Sequence, residues 1–358
     1  MLNIFTKTSP LLVATLIATS AYAQDISNSR PMKKCFEQGL EMPVNQTMAA
    51  HSYPARTEVR GSWDIWAKGS FLYWQARQEN MDLALVSDST NPQFTDGSVS
   101  TVAHPHYKYK PGFKALLGIN HDYDNWESFA EYTWFHEMTD TVIEPGTANL
   151  FPMQIYGATS TPPSSYLSAN QSWDLKMDIA DISIGRGYYS GTKLILVPFF
   201  GARGALIRQH LNTVYDNTLS VESKTISQGI GPRTGANGKW VLGYGFRLIG
   251  DASADILYTR YNYFMNQKVT GNLAQNFTLK EKRNDFLRAH ADLELGFGWG
   301  SYFDNYNWFV DLSATYGFQV FWDQNMFRSS VGNGFAASHA PNGNLYIHGL
   351  TANLKLDF

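Results

Sequence analysis

Residues 346–358 read YIHGLTANLKLDF. Every second residue from Tyr346 (His348, Leu350, Ala352, Leu354, Leu356, Phe358) belongs to a mostly apolar set. The interleaved residues Gly349, Thr351, Asn353, Lys355 and Asp357 are polar or small. A period of two residues belongs to a β-strand whose faces meet different surroundings. The strand ends on its final aromatic. Everything upstream has to agree with a strand of this kind closing the chain.

The opposite end agrees. Lys7 is the sole charge in the first 23 residues, Leu11–Ala18 (LLVATLIA) is a short apolar run, and Ala21-Tyr22-Ala23 precedes Gln24. Those features predict a secretory signal peptide cleaved between Ala23 and Gln24, too short to span a bilayer. In an exported chain, Tyr346, Leu354, Leu356 and Phe358 resemble the C-terminal assembly signal of outer-membrane β-barrels. That resemblance implies recognition by the barrel assembly machinery.

Composition narrows the class. Removing residues 1–23 leaves 27 Lys and Arg against 31 Asp and Glu, a formal charge of −4. This balance lacks the basic domain that nucleic acid requires. Aromatic residues make up 15% of the chain, as 22 Phe, 20 Tyr and 10 Trp. Beyond the signal peptide no run reaches the ~18–20 apolar residues of a membrane helix. An exported, aromatic-rich chain of this type is expected to be a transmembrane barrel with aromatic girdles at both lipid interfaces. Its lipid partner is the bacterial outer membrane. Cys35 is the only cysteine. It lies in the leader, where it is either free or forms an intermolecular disulfide that would make a homo-oligomer.

Residues 24–60 contain Pro31, Pro43 and Pro54 and no sustained strand period. They are expected to form a leader in the periplasm or the barrel mouth. From residue 61 the chain alternates. The expected strands are Ala67–Ala76, Tyr107–Asn120, Trp126–Glu137, Trp173–Tyr189, Lys193–His210, Lys239–Ile249, Ala252–Tyr263, a segment from Leu287 to Trp299, one from Trp308 to Val320, and Tyr346–Phe358. In the fourth, the apolar set changes phase from Trp173, Leu175, Met177 and Ile179 to Ile182 and Ile184. A β-bulge near Ala180 is the expected cause.

The fold class that follows is all-β: a transmembrane antiparallel up-and-down β-barrel of 10 strands, with residues 61–358 as the barrel domain. Twelve strands is the alternative, if a hairpin hides around Met81–Val86 or Val269–Leu279. Short periplasmic turns are expected near 122–125, 190–191, 250–251 and 304–305. Long outer loops are expected at 79–106, 139–172, 212–238, 265–285 and 323–345. The alternation from Leu287 and from Trp308 runs for about a dozen residues, which suits a tilted span of ~9–11 better than a soluble strand of ~5–6. In a bilayer, closure into a barrel pairs every backbone group.

Gly69–Asp82 (GSFLYWQARQENMD) resembles the first-strand region of the Legionella-type major outer membrane proteins, which are similar in character to the chlamydial ones. Gly231-Pro232-Arg233 ahead of Trp240 and the Phe-terminated last strand fit the same family. The resemblance extends over residues 60–358 in layout, with Gly69–Asp82 its specific part. It implies a porin-like outer-membrane barrel that conducts ions and small hydrophilic solutes.

The inward faces supply the candidate site. Lys108, Lys110 and Lys114 on one strand oppose Glu127 and Glu131 on its hairpin partner, a pattern for cross-strand ion pairs. Asp178, Arg203, Arg247, Asp255, Arg288, His290, Asp292, Glu294 and Asp311 continue the expected lumen lining. These charges either set the ion preference of a water-filled lumen or form a network that plugs it. About ten strands enclose little more than the ~8 whose interior holds only side chains. A plugged barrel would work through its outer loops, as a structural or adhesive surface protein. His104 and His106, separated by Pro105, read as loop histidines rather than metal ligands. The chain has no nucleophile elbow, phosphate loop or Cys-x-x-Cys. The expectation is therefore a non-enzyme with no cofactor and no metal site.

Overall fold

The computed structural model describes residues 57, 59–89, 99–121, 126–144, 146–153, 165–270, 276–327 and 343–358. The signal peptide, the Ala23/Gln24 cleavage point, Cys35 and nearly all of the leader lie outside the described residues, as does the turn at 122–125.

The strands are β1 (Ile65–Gln78), β2 (Ala84–Ser87), β3 (Ser100–Ala103), β4 (Lys110–Asn120), β5 (Trp126–Ile143), β6 (Asn149–Pro152), β7 (Ala169–Arg186), β8 (Tyr188–Ser190), β9 (Leu194–Tyr215), β10 (Leu219–Gly243), β11 (Phe246–Val269), β12 (Phe277–Phe303), β13 (Trp308–Phe321) and β14 (Leu345–Asp357). Ten of them form a closed antiparallel wall in the order β1-β4-β5-β7-β9-β10-β11-β12-β13-β14, with β14 returning to β1. Strand β8 adds only a three-residue pairing to β9. Closure removes both sheet edges and satisfies the backbone within the protein, the condition for spanning lipid. The twelve-strand alternative does not hold. Residues 84–87 pair with β3 and β6 in a separate small sheet, and residues 269 and 277–279 belong to the wall strands β11 and β12.

The final strand closes the ring as its alternation predicts. β14 pairs with β1 from Trp66↔Asp357 to Gln78↔Leu345 and with β13 on its other side. Tyr346, Leu350 and Leu354 are exposed on the outer face, and Leu356 is half-buried. Phe358 lies against Trp308 with ring centroids 5.7 Å apart. Its carbonyl accepts a hydrogen bond from Ser62 Oγ at 3.0 Å, tying the chain's end to the start of the wall.

The strands outrun the membrane. β10 has 25 residues and β12 has 27, whereas a tilted span needs ~9–11. Wall strands replace two of the expected long outer loops, 212–238 and 265–285. Only Asp216–Thr218 separate β9 from β10, with Asp216 and Asn217 at positive φ, the backbone of a tight hairpin turn.

The extra length changes which face is apolar. Near the periplasmic end the outer face carries Ile182, Phe200, Ile230, Leu248, Ile256, Leu295, Phe297 and Leu312, all exposed, Ile182 to 70%. Toward the outer end the apolar side chains point inward. Leu72, Trp74, Phe135, Trp173, Leu175, Met177, Ile207, Leu211, Tyr263, Met265 and Ile347 form one buried cluster. The long strands β7, β9, β10 and β11 thus obey the membrane rule below and the rule of a water-soluble barrel above, whereas the short β4 and β13 keep an apolar outer face throughout.

This inversion, not a bulge, explains the phase change in β7. Its pairings with β5 and β9 run through Ala180 without a register shift. Trp173, Leu175, Met177 and Ile179 face the interior, Ile182 and Ile184 face outward, and every residue keeps its alternate side. A bulge was expected because one face was assumed to stay apolar throughout.

Neighbouring residues in β7 should therefore respond oppositely to truncation. Leu175→Ala is expected to cost about 2–5 kcal/mol of stability. Lys176→Ala, one residue on and facing outward, should change it by no more than about 0.5 kcal/mol. Urea titration of the heat-modifiable folded band on a gel measures both.

Candidate functional site

The interior at membrane depth is built from inward positions that the register brings level. Asp181 of β7 opposes Arg203 of β9, Arg233 of β10 opposes Asp255 of β11, and Asp255 opposes His290 of β12. These side chains converge on Arg203. Its Nε and Nη2 donate to the two Asp181 oxygens at 2.7 Å each, and its Nη1 reaches Asp255 Oδ2 at 2.9 Å and His290 Nδ1 at 2.8 Å. Arg233 Nη1 lies 3.1 Å from Asp181 Oδ2. Its Nε donates to Ser253 Oγ at 3.2 Å, and Ser253 Oγ donates to Asp292 Oδ2 at 2.7 Å. The forked guanidinium suits this role because it donates to two carboxylates at once in fixed geometry.

A second network crosses the lumen. Lys114 of β4 and Glu294 of β12 stand four strands apart around the ring, yet Lys114 Nζ donates to Glu294 Oε1 at 3.1 Å. Glu131 lies 4.0 Å from the same ammonium, and Thr315 Oγ1 donates to Glu294 Oε2 at 2.9 Å. Nearer the periplasm Arg247 pairs with Asp311, and Lys355 Nζ lies 2.8 Å from Asp357 Oδ1. The Trp66 indole covers Gly118 so closely that a Cβ there would clash with the ring. Among the described residues His290 Nε2 and Asp255 Oδ1 are buried without a protein partner.

Above these charges the interior is mainly apolar, with Glu137, Gln171 and Gln209 buried among the apolar side chains, and it is capped. The segment after β1 crosses the mouth to the opposite wall. Met81, Leu83 and Ala84 join the buried cluster, and Tyr215 Oη on β9 donates to the Leu83 carbonyl at 2.6 Å. Leu150 of β6 is fully buried in the same cluster. Tyr107, edge-on to Trp173 with ring centroids 5.8 Å apart, donates to the Gln78 carbonyl at 3.0 Å. Burial pushes its phenol up to about 12, so it remains a neutral donor. A second strap follows β13. Gln324 accepts from Tyr261 Oη and donates to Ser227 Oγ, both at 2.8 Å, and Asn325 Nδ2 donates to the Glu79 carbonyl at 2.7 Å.

Most residues expected in the lumen take interior positions. Lys114, Glu131, Arg203, Arg247, Asp255, His290, Asp292, Glu294 and Asp311 lie in these networks. Glu127 is half-buried on the Glu131 face, and Lys110 opens β4 on the Lys114 face. Arg288 lies near the cap, where its Nη1 is 3.4 Å from Asp323 Oδ2.

Two of them lie elsewhere. Lys108 precedes β4 and is exposed. Asp178 sits on the outer wall, held by Tyr132 Oη at 2.9 Å, Arg208 Nη2 at 2.8 Å and His136 Nε2 at 3.4 Å. It belongs to the part of β7 where the apolar face is turned inward, so its polar face meets water. Sequence reasoning missed Asp181, which alternates with Ile182 and Ile184 and was legible by keeping one phase along β7. It also missed the role of Arg233, which lies in the Gly231-Pro232-Arg233 stretch. At Gly231 and Pro232 the β10–β11 pairing lapses, since proline has no N–H to give.

Arg203→Met would leave Asp181 and Asp255 without their shared cation. Removing one partner of a buried ion network costs about 3–5 kcal/mol. Adding Asp181→Asn and Asp255→Asn should restore part of that loss. Urea midpoints of the folded gel band distinguish the single from the triple variant.

Comparison with solved structures finds distant similarities. Outer membrane protease OmpT from Escherichia coli matches with 12% identity and a TM-score of 0.42, over 85% of this chain and 100% of that one. The toluene transporter TodX of Pseudomonas putida matches with 10% identity and a TM-score of 0.30, over 82% and 89% of the two chains. A FadL homologue of Pseudomonas aeruginosa matches with 10% identity and a TM-score of 0.28, over 83% and 90%. No curated protein matches the sequence. The family model described as Legionella pneumophila major outer membrane protein precursor matches residues 56–358, which include the whole barrel. The chain is a bacterial outer-membrane β-barrel and belongs to the Legionella major outer membrane protein family.

Proposed function

We propose that this barrel is a non-catalytic pore for ions and small hydrophilic solutes that rests closed at its outer mouth. The observation that carries this reading is the contrast between the two halves of one interior. In the outer half the wall is filled with apolar side chains such as Leu72, Trp74, Trp173 and Met177. A wall of this circumference can therefore be packed with a single buried acid among the described residues, Glu137, which accepts from the Ala76 N–H and Thr139 Oγ1. Through the membrane it instead holds Arg203, Arg233, Lys114, Asp181, Asp255, Asp292 and Glu294. Buried ion networks add little net stability over an apolar filling, so stability alone does not account for them. Polar and charged linings are what an ion path needs. The closure above them comes partly from segments outside the wall, the 81–84 crossing and the Gln324 strap, each latched by side-chain hydrogen bonds.

A second reading, a permanently closed barrel that displays its outer loops, is favoured by the 3.1 Å Lys114–Glu294 bond across the lumen. Single-channel recording in planar bilayers separates the two. The gated pore predicts stepwise currents from the wild-type protein. Tyr215→Phe or Gln324→Ala, each removing a latch of about 1 kcal/mol, should raise the open fraction roughly fivefold. Silence from wild type and both variants, each folded by heat-modifiable mobility, would leave the closed, loop-displaying barrel.

A further inference from the structure

The outer ends of β11 and β12 form a hairpin whose outward face differs from the rest of the wall. On β7, β9 and β10, outward charges above the apolar band are paired. Arg208 is paired with Asp178 at 2.8 Å, Lys176 with Asp174 at 3.1 Å and Lys224 with Glu222 at 2.6 Å. On this hairpin Arg260, Lys268, Lys280, Lys282 and Arg283 are all exposed, and Asp285, 2.9 Å from Arg260, is the one acid outward with them. Among the described residues the other four have no acidic partner within ion-pair distance.

Register and a bulge gather these cations. Arg260 pairs with Asp285, Asn262 with Lys282 and Phe264 with Lys280. Lys280 and Lys282 are therefore next neighbours on one face, about 7 Å apart. The β11–β12 register shifts between Tyr261 and Asn262. Opposite that shift Arg283 takes a positive φ of 61°, and its N–H donates to Asn262 Oδ1 at 3.3 Å. A bulge sets two residues against one, which leaves the successive residues Lys282 and Arg283 both exposed. Lys280 Nζ lies 5.6 Å above the Phe264 ring, an orientation that leaves its outer donors free.

The height of the patch identifies its occupant. Along β11 the outward residues run Ile256, Tyr258, Arg260, and Ile256 and Tyr258 belong to the exposed apolar band. Along β12, Leu287 of the same band, paired with Tyr258, lies just beyond Asp285. Arg260, Lys282 and Arg283 thus begin one to two strand positions above the hydrocarbon, at roughly 7–13 Å. That is the level of lipid headgroups, and a concentrated excess of positive charge there fits phosphate.

We propose that this face binds the phosphorylated headgroup of an outer-leaflet glycolipid, with Lys280, Lys282 and Arg283 contacting phosphate and Arg260 and Lys268 flanking them. Tyr258 and Leu287 would lie along the acyl chains of the same molecule. This site is separate from the lumen and does not depend on whether the lumen conducts.

The test uses the full mature chain in phosphatidylcholine nanodiscs containing a bis-phosphorylated lipid A or its dephosphorylated counterpart, with retained lipid read by mass spectrometry. Wild type should retain the phosphorylated form preferentially. Lys280→Gln, Lys282→Gln and Arg283→Gln together should weaken retention on the order of 100-fold, roughly fivefold per cation removed. Lys176→Gln, on another sector of the wall, should leave it unchanged. If the triple variant fails to give a heat-modifiable band, Lys282→Gln alone should still show its fivefold loss. Equal retention of both lipids, or retention by the folded cation variants matching wild type, would overturn the proposal. Complete displacement of the lipid by millimolar inorganic phosphate would overturn it too, because the patch would then be a site for free anions.

Discussion

A wall strand more than twenty residues long has to serve two solvents with one alternating sequence. Inside the bilayer the outer face meets hydrocarbon, so its residues are apolar and the interior takes the polar ones. Beyond the headgroups the same face meets water, and the hydrophobic effect drives apolar residues inward. The backbone alternates without interruption through this boundary, so the change has to be written in residue type. β7 shows it most plainly: Trp173 to Ile179 fill the interior, and three residues later Ile182 begins the lipid-facing side.

Two different interiors follow from that boundary. The outer one is a hydrophobic core of the kind found in soluble proteins, closed by segments that cross from β1 to β9 and from β13 to β10 and β11. The inner one is ionic. Its charges sit in a space with few routes to water, so each depends on partners from distant strands. Arg203 alone joins β9 to β7, β11 and β12. These contacts stitch the wall across its diameter and close the path between them. A barrel that conducts must loosen both the apolar cap and the Lys114–Glu294 bond. One that never conducts gains rigidity from the same bonds.

Much of this was legible in the sequence. The ten wall strands, the closing role of Tyr346–Phe358 and most inward charges followed from period two combined with the expectation of an export signal. Most of what failed did so for one reason: a single rule was applied along the full strand. That rule turned the Ala180 region into a bulge, placed Asp178 in the lumen and read 212–238 and 265–285 as loops. Lys108 was extrapolated from the Lys110 and Lys114 alternation past the point where the strand begins. The pairing of Arg203 with Asp181 and Asp255 was beyond reach, because it depends on strand order around a closed ring. The basic hairpin face was hidden by a near-neutral total charge. Lys280, Lys282 and Arg283 gather there only once a bulge and a neighbouring strand are in place.

The inversion of faces along β7 is the claim on which the rest stands, and site-by-site accessibility measures it directly. With Cys35 replaced by Ser, single cysteines at 175, 176, 177, 182 and 184 would be probed in the reconstituted barrel with a water-soluble thiol reagent and a lipid-borne quencher. The account predicts reagent access at 176, lipid quenching at 182 and 184, and neither at 175 and 177. Free aqueous labelling at 175 and 177, or lipid quenching at 176, would contradict it.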